Sequence, residues 1–378
     1  MREVRIINAG VVTAAGPDLE STWKTLMKGY TAIRPLDRFP VEGYRAGIGA
    51  FIPALNPGGS SSIIRKLLDL LLDQVTPGVP ESTLLITAST KAGIDNLEKI
   101  KKGQAAIPED LLTASLGKQA ANRLGIKRRP INISAACASS TVAVAQGASL
   151  IASGIEDSVL ICCLDVLTEF VFSGFSALQV LSPFPCRPFD RERAGLSIGE
   201  GAAFILLMSA EKGKELGRPQ LAVVAGSGLS NDARHITAPD RNGGGLIRAV
   251  KEALKSAGVE KEAVAGISAH GTGTVHNDLM ELTAFRSVFG ERCPPLYSGK
   301  GCLGHTFGAA GGIEIALGTK ILAEQCLPPT VGLICPEQGA EGLVSSRSQN
   351  FRGQYLLTTN SGFGGINAAI LLKRGQER

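Results

Sequence analysis

The sequence predicts a layered α/β fold made of two duplicated halves, and three observations support this. Short runs rich in Val, Ile and Leu alternate with longer helical segments. Two of those helical segments have unusually small side chains, and each follows a chain reversal. A glycine-rich turn that feeds an apolar strand comes about sixty residues after each reversal. A spacing that recurs in this way indicates duplicated βαβ units.

The individual elements follow from local patterns along the chain. Apolar runs that end at glycine or other small residues predict strands at residues 4–7, 84–86, 159–162, 203–207, 264–268 and 355–359. Longer segments with apolar residues at helical spacing predict helices at residues 111–124, 137–152, 244–256 and 311–324.

The repeat divides the chain into residues 1–212 and residues 213–378. The small-sided segments at 137–152 and 305–317 represent one half each, and small side chains let helix backbones approach closely. We therefore expect the two helices to meet in the middle of the molecule, between two sheets. The chain reversals before them would then face one shared site.

Composition limits the possible functions and locations. The chain has 378 residues and a formal charge of +5 without a long basic block, which gives little support to nucleic-acid binding. Its eight cysteines show no paired CxxC spacing, which is typical of a reducing compartment, so we expect a cytoplasmic protein. The first residues are too charged for a secretory signal, and no apolar run approaches the length of a membrane span.

Cys137 is the strongest candidate for a catalytic residue. It follows an apolar run at residues 131–136 and opens a helical run of small residues at 138–145. The start of a helix offers unpaired N–H groups and the positive end of the helix dipole, which favour a thiolate and can hold an oxyanion. A lone cysteine is often only a packing residue, so this position needs support from elsewhere in the chain.

Two histidine segments provide that support. His270 opens a His-Gly-Thr-Gly-Thr run, and His305 closes a Lys-Gly-Cys-Leu-Gly-His run. A thiolate can attack a thioester, and two neutral imidazoles that donate from Nε2 can stabilise a carbonyl oxygen that becomes an enolate. This combination predicts carbon–carbon bond formation from acyl thioesters.

Further residues are expected to assist these three. Lys300 would supply positive charge, and Asp278 with Glu281 would anchor its ammonium group. Thr272 and Thr274 alternate with glycines, so their hydroxyls would face a channel for an amide-bearing pantetheine arm.

The segment at residues 360–365, Asn-Ser-Gly-Phe-Gly-Gly, predicts a mobile loop beside the site. The Phe363 N–H would donate to an oxyanion, its ring would act as a gate, and Gly362 and Gly364 would contact substrate. These glycines precede a strand, the reverse of the order in a dinucleotide-binding loop. Cys302 and His305 have a zinc-like spacing but lack enough partner ligands, so no metal is expected.

Together these motifs resemble those of the β-ketoacyl-[acyl-carrier-protein] synthases. The resembling positions run in family order along nearly the whole chain: Cys137, residues 188–191 with 199–201, residues 270–274, Lys300 with His305, and residues 362–365. The resemblance implies the thiolase-like, five-layered αβαβα fold, usually found as a homodimer.

The resemblance also implies a role for each residue. Cys137 would take an acyl chain from its carrier protein, and His270 with His305 would assist decarboxylation of a malonyl unit carried on phosphopantetheine. Attack on the Cys137 thioester would give a β-ketoacyl product and carbon dioxide, with the Cys137 and Phe363 amides as oxyanion hole. Lys300 and Glu281 would hold the supporting charged positions. The histidine pair is similar to that of the elongating synthases, and no bound cofactor is implied.

The chain also departs from the family pattern. Ser361 stands where a first aromatic is expected, Val275 and His276 replace a usual Pro-Leu, and the region of residues 84–111 is shortened. These departures favour a specialised synthase of a polyene, polyketide or unusual lipid pathway. Acidic residues stand where carrier-protein docking residues are often basic, so the substitute candidates are basic side chains nearby: Arg65, Lys66, Lys101 and Lys102.

Three other interpretations stay open. The chain could be a silent partner subunit, like the chain-length factors that dimerise with an active synthase, although such subunits typically lack the nucleophilic cysteine. It could also be the active half of a heterodimer. A thiolase or an acyltransferase that uses CoA thioesters is the other alternative, and its chemistry would not depend on carbon dioxide release. His235 and His276 have no expected role in any of these functions.

Overall fold

A computed structural model describes residues 1–56 and 58–375 of the chain. The strands are β1 (Val4–Thr13), β2 (Arg34–Pro35), β3 (Ile48–Gly49), β4 (Leu84–Ala88), β5 (Ile131–Ile133), β6 (Ser158–Asp165), β7 (Gly201–Ser209), β8 (Ala222–Asn231), β9 (Val264–Ser268), β10 (Leu296–Tyr297), β11 (Cys326–Leu327), β12 (Gln349–Asn350), β13 (Tyr355–Gly362) and β14 (Ile366–Arg374).

The helices range from a single turn to fifteen residues. They are α1 (Leu19–Met27), α2 (Ile63–Leu72), α3 (Asp95–Lys101), α4 (Thr113–Leu124), α5 (Ser139–Ala152), α6 (Glu169–Ala177), α7 (Ala210–Glu215), α8 (Gly244–Ala257), α9 (Val275–Phe289), α10 (Lys300–Leu303) and α11 (Ala310–Glu324). Strands and helices alternate through β4 to β10 apart from the consecutive helices α3 and α4, much as the sequence predicts, whereas β11 to β14 follow one another.

Two sets of five strands share one topology. In the first set the order is β1, β7, β6, β4, β5, and in the second it is β8, β14, β13, β9, β10. In both sets the first two pairings are antiparallel and the last two are parallel. The matching order confirms the duplicated halves that the sequence predicts.

The two sets are joined, whereas we expected two separate sheets. Arg5 and Ile6 of β1 pair with Val223 and Ala222 of β8, which makes one ten-stranded sheet. The joint is only two residues long, and strands that pair over so short a length are free to twist apart beyond it.

Helices α5 and α11 form the central layer between the two sets of strands. One core cluster combines Ala143 of α5 and Ile313 of α11 with Ile161 from the first set and Ile370 from the second. The helices touch through small residues, because a Cβ on Gly311 would lie 1.9 Å from the Thr141 hydroxyl. The close approach of the two small-sided helices is therefore confirmed.

The outer layers complete the thiolase-like, five-layered αβαβα fold. Helices α2 and α4 pack on the outer face of the first set, where Leu67 and Leu116 share a core with Phe204 of β7. Helices α8 and α9 pack on the second set, where Ala249 and Phe285 share a core with Leu371 of β14. The predicted boundary after residue 212 lies within α7 and stays a prediction.

None of the helices in the described residues is long and apolar enough to cross a bilayer.

Candidate active site

Cys137 occupies the reversal between β5 and α5. Ala136, just before it, adopts a left-handed conformation with φ +48°, and the Ser139 hydroxyl closes the turn by donating to the Ala136 carbonyl at 2.6 Å. Gly362 packs against the turn from β13, and a Cβ at that position would lie 3.1 Å from the Cys137 nitrogen. The sulfur is held at the start of the central helix, as the sequence predicts.

The surroundings of the thiol act in opposite directions on its ionisation. Burial is the largest effect and raises the pKa of Cys137 above its ordinary value. The positive charges of Lys91 and Lys300 and the Phe363 N–H lower the pKa of the thiol. We expected the helix start to favour a thiolate, but the net direction is the reverse because desolvation disfavours the charged form.

His270 follows β9 and enters the same space. Its Nδ1 atom lies 3.3 Å from the Lys300 ammonium and 3.3 Å from the side-chain amide nitrogen of Asn360. Both neighbours are donors. An ammonium group can only donate, and the Asn360 amide oxygen is the atom that accepts a hydrogen bond from the Thr141 hydroxyl, so the amide nitrogen faces His270. Nδ1 is therefore the acceptor, and the ring proton is on Nε2.

The backbone two residues further along fixes His305 in the same tautomer. The Phe307 N–H donates to His305 Nδ1 at 3.2 Å, which leaves the proton on Nε2. The rings of His270 and His305 lie edge to face, with centroids 5.3 Å apart. Two imidazole N–H donors are thus brought together beside one thiol.

Both imidazoles are neutral at physiological pH. Burial lowers the pKa of His270 well below its ordinary value, and the charge of Lys300 lowers it further. Burial, Lys300 and Lys91 lower the pKa of His305 in the same way. Neutral rings with fixed tautomers are hydrogen-bond donors that keep their direction while charge develops on a ligand.

The ion partner of Lys300 differs from our expectation. The ammonium group pairs with Glu314 of α11 at 2.7 Å, and both side chains are buried. Asn360 also donates to Glu314, at 2.8 Å. Sequence reasoning missed Glu314 and Asn360, although a carboxylate within the apolar helix at 310–324 is a signal, because a buried charge requires a partner.

Asp278 and Glu281 bind the histidine loop instead of Lys300. Glu281 accepts from the backbone N–H groups of His270 at 2.7 Å and Gly271 at 2.6 Å. Asp278 accepts from the N–H of Thr272 at 3.1 Å. Both carboxylates project from α9, which follows the histidine loop directly in the chain. Four consecutive backbone N–H groups of that loop donate to them, and the Lys300 ammonium does not. The two carboxylates shape the loop that carries His270.

One cavity of about 220 Å³ joins these groups to the surface. Cys137, His270 and His305 line it, together with Thr272 and Thr274. The two threonine hydroxyls share a hydrogen bond of 2.8 Å. His276, for which the sequence predicted no role, is exposed on the cavity wall.

The segment expected to be a mobile loop is a tight turn between β13 and β14. The Gly365 N–H donates to the Gly362 carbonyl at 3.1 Å, and Gly364 donates to the Ile236 carbonyl at 2.6 Å. Gly362 and Phe363 line the cavity as expected. Gly364 is exposed and does not line it, because the left-handed turn points this residue outward.

Aromatic rings continue from the turn into the protein. Phe363 stacks on Phe175 with centroids 5.9 Å apart, and Phe175 packs on Phe307 at 5.4 Å. Phe307 in turn stacks on the His305 ring at 5.5 Å. The Phe363 ring therefore belongs to a packed row beside the cavity, the position that a gate would need.

The four basic candidates for carrier-protein docking fall into two pairs. Arg65 forms an ion pair with Asp110, and Lys102 forms one with Glu169 at 2.9 Å. Lys66, Lys101 and Lys102 are exposed, and Arg65 is half-buried. Lys66 and Lys101 form no ion pair within the described part of the chain, and docking stays a prediction for all four.

Known proteins resemble this chain along its whole length. A 3-oxoacyl-[acyl-carrier-protein] synthase 2 from Vibrio cholerae is 28% identical, with 99% of each chain covered. A protein of the same name from Mycobacterium bovis is 28% identical, with 98% of this chain and 97% of the relative covered.

Solved structures are similar to the same extent. The ishigamide ketosynthase/chain length factor matches with a TM-score of 0.91 and 28% identity, covering 99% of this chain and 100% of that one. A ketosynthase (ApeO) in complex with its chain length factor (ApeC) from Xenorhabdus doucetiae matches with a TM-score of 0.85 and 27% identity, covering 99% and 98%.

Two family matches divide the chain between them. Residues 84–213 match the N-terminal domain of beta-ketoacyl synthase, and residues 221–333 match its C-terminal domain. Together they cover more than half of the chain and include Cys137, His270, Lys300 and His305. The family inferred from the motifs is confirmed, and this chain belongs to the β-ketoacyl synthases.

Proposed function

We propose that this chain is an acyltransferase that condenses an acyl chain held on Cys137 with a malonyl unit on acyl-carrier protein. The observation that carries the proposal is the fixed tautomer of both imidazoles. His270 and His305 each accept a hydrogen bond at Nδ1, so both present Nε2–H to the cavity beside the thiol. Two such donors suit a carbonyl oxygen that gains negative charge.

In the first step the Cys137 sulfur attacks the thioester carbonyl of the acyl-carrier protein. The new C–S bond forms as the bond to the carrier's pantetheine sulfur breaks, and the thiol proton ends on that leaving sulfur. The N–H groups of Cys137 and Phe363 hold the transient oxyanion. Burial keeps the resting thiol protonated, so the attacking thiolate forms as the substrate arrives.

In the second step a malonyl thioester enters the same cavity. Its carboxylate leaves as carbon dioxide, and the electron pair of the broken bond forms an enolate whose oxygen accepts from His270 and His305. The enolate carbon attacks the Cys137 thioester, the C–S bond breaks, and a β-ketoacyl thioester departs. The Cys137 thiolate released by that cleavage takes a proton from solvent and returns to the resting thiol. Glu314 neutralises Lys300, which keeps the pocket from holding an isolated charge.

The cavity wall supports a pantetheine arm as the carrier of both substrates. Thr272 and Thr274 place hydroxyls along the path from the surface to Cys137. These hydroxyls suit the amide groups of such an arm. We propose no cofactor of the protein's own, and we place the reaction in fatty-acid synthesis or in a specialised polyene or polyketide pathway.

We propose a dimer, either of two copies or with a paralogous subunit. One structural relative is a ketosynthase in complex with its chain length factor, and another is a ketosynthase in complex with its acyl-carrier protein. Native mass spectrometry of the protein, expressed alone and together with a candidate paralogous subunit, distinguishes the two assemblies. The cysteines in the described residues are free, which supports a cytoplasmic location.

Intact-mass measurement tests the first step. The protein is incubated with acyl-carrier proteins that bear chains of several lengths, alongside Cys137→Ala as control. We expect a mass gain equal to the acyl group in the wild type and none in the variant. No gain with any chain, alone or with the native partner subunit present, would contradict the proposal and favour a silent subunit.

Carbon dioxide release tests the second step. We expect release that requires malonyl-acyl-carrier protein and rises when Cys137 is acylated. Condensation without carbon dioxide release would instead indicate a thiolase or another acyltransferase.

A further inference from the structure

A second lysine lies close to the site without touching the cavity. Lys91 follows β4 and is half-buried. Its ammonium group donates to the Thr90 hydroxyl at 2.6 Å and sits over the Phe307 ring, 4.4 Å from the centroid. Among the described residues no carboxylate forms an ion pair with this group. The cation–π contact and the Thr90 hydrogen bond together hold the ammonium against Phe307.

Phe307 holds His305 in two ways. Its N–H donates to His305 Nδ1 at 3.2 Å, and its ring stacks on the imidazole at 5.5 Å with 24° between the planes. To do both, the residue adopts φ +52°, a left-handed conformation that is unfavourable for a bulky side chain. Such a conformation persists only where surrounding contacts impose it.

One carboxylate ties the two turns together. Asp165 accepts from the Thr90 hydroxyl at 2.8 Å and from the Gly308 N–H at 2.7 Å. The residues next to Lys91 and next to Phe307 are thus bound to the same group. The ammonium and the aromatic ring are held face to face by the backbone as well as by their own attraction.

We propose that Lys91 is a positioning residue for His305, acting through Phe307. The ammonium holds the Phe307 ring, and the ring and N–H of Phe307 hold the imidazole in its Nε2–H tautomer. This inference rests on the proposed function, in which His305 donates from Nε2 to the developing enolate.

The charge of Lys91 works in the same direction as its geometry. Burial lowers the pKa of His305 most, and the charges of Lys300 and Lys91 lower it further. The charges of Lys91 and Lys300 also lower the pKa of the Cys137 thiol, against the larger effect of burial, which raises it. The cation over Phe307 thus favours a neutral imidazole beside a more easily ionised thiol.

Imidazole ¹⁵N NMR tests the proposal without any substrate. The chain has four histidines, so each signal can be assigned with single His→Gln variants. In the wild type and in Lys91→Arg, which keeps the cation, we expect the shifts of a single Nε2–H tautomer at His305. In Lys91→Met we expect a mixture of tautomers at His305, with the His270 signals unchanged.

The result that overturns the proposal is a His305 signal in folded Lys91→Met that equals the wild type. Lys118→Met, an exposed lysine on α4, is the matched control and should change neither signal. Phe307→Leu provides a second route, because it removes the ring and leaves Lys91 in place. It should produce the same mixture of tautomers as Lys91→Met.

Kinetics separate positioning from general damage. We expect Lys91→Met to slow malonyl decarboxylation on the order of tenfold or more, because small misplacement of a catalytic group is costly. In the Phe307→Leu background the same substitution should slow it little further. If the two substitutions together slow decarboxylation by the product of their separate fold-changes, the proposal is overturned. If the wild type is inactive but Lys91→Met shows the expected NMR change at His305, the result counts against the proposed function and leaves the positioning role of Lys91 intact.

Discussion

The Nδ1 atom of His270 lies 3.3 Å from the ammonium nitrogen of Lys300, and that ammonium pairs with Glu314 at 2.7 Å. A buried cation beside a ring nitrogen excludes a proton from that nitrogen. Lys300, with Asn360, therefore favours the Nε2–H tautomer of His270, and its charge adds to the larger effect of burial in keeping the ring neutral. These effects can be measured.

Removal of Lys300 should change the pH dependence of decarboxylation. Burial and, after it, the charge of Lys300 lower the pKa of both imidazoles, so the wild type should stay active as pH falls through the ordinary histidine value of 6.5. In Lys300→Met both pKa values rise, and the acid limb of the rate profile should move to higher pH. A rate profile of carbon dioxide release measures this, and an unmoved limb would contradict it.

Stability should show that Lys300 and Glu314 act as a pair. Lys300→Met leaves a buried carboxylate without its cation, which should cost about 3–5 kcal/mol of unfolding free energy. Lys300→Met combined with Glu314→Gln removes both charges and should cost less than the single variant. Urea unfolding followed by circular dichroism gives the comparison. A double variant less stable than the single one would show that the pairing is not the dominant effect.

Glu281 should make stability depend on pH. Burial beside Asp278 raises the pKa of Glu281 from 4.5 to about 8. Its folded state then binds a proton more tightly than the unfolded state, so its contribution is present below pH 4.5 and is lost as pH rises towards 8.

The measurement is the difference in unfolding free energy between the wild type and Glu281→Gln across that range. The wild type should lose stability relative to the variant as pH rises, by at most about 1.4 kcal/mol per pH unit. The histidines, whose lowered pKa values make stability rise with pH, are present in both proteins, so their contribution cancels in the difference. A difference independent of pH would show that Glu281 ionises normally.

Gly362→Ala should impair acyl transfer to Cys137. The added Cβ would lie 3.1 Å from the Cys137 nitrogen and 3.2 Å from the Ala135 carbonyl oxygen, so the turn must shift. Because the Cys137 N–H is an oxyanion donor in the proposed mechanism, we expect a loss on the order of tenfold to a thousandfold in the acylation rate. Time-resolved intact mass measures it. Gly78→Ala, where the added Cβ meets nothing within 4 Å, is the control and should acylate normally.

Much of the fold follows from local patterns. The strand predicted at 264–268 matches β9 (Val264–Ser268), and the helix predicted at 311–324 begins one residue early, as α11 (Ala310–Glu324). Periodicity of apolar residues reports which side of an element is buried, and that information is present in a few neighbouring residues. The pairing of β1 with β8 could not be predicted in this way, because it involves only two residue pairs and leaves no periodic pattern in the sequence.

The sequence by itself determined the two-half architecture, the family, and the association of Cys137, His270 and His305, because spaced motifs record which elements end at the site. Only the tertiary structure decided how buried charges pair. Asp278 and Glu281 bind loop N–H groups, Glu314 takes Lys300, and Lys91 rests on Phe307. The physical reason is that a buried charge pairs with whichever group shares its dry space, and packing of elements distant in the chain creates that space.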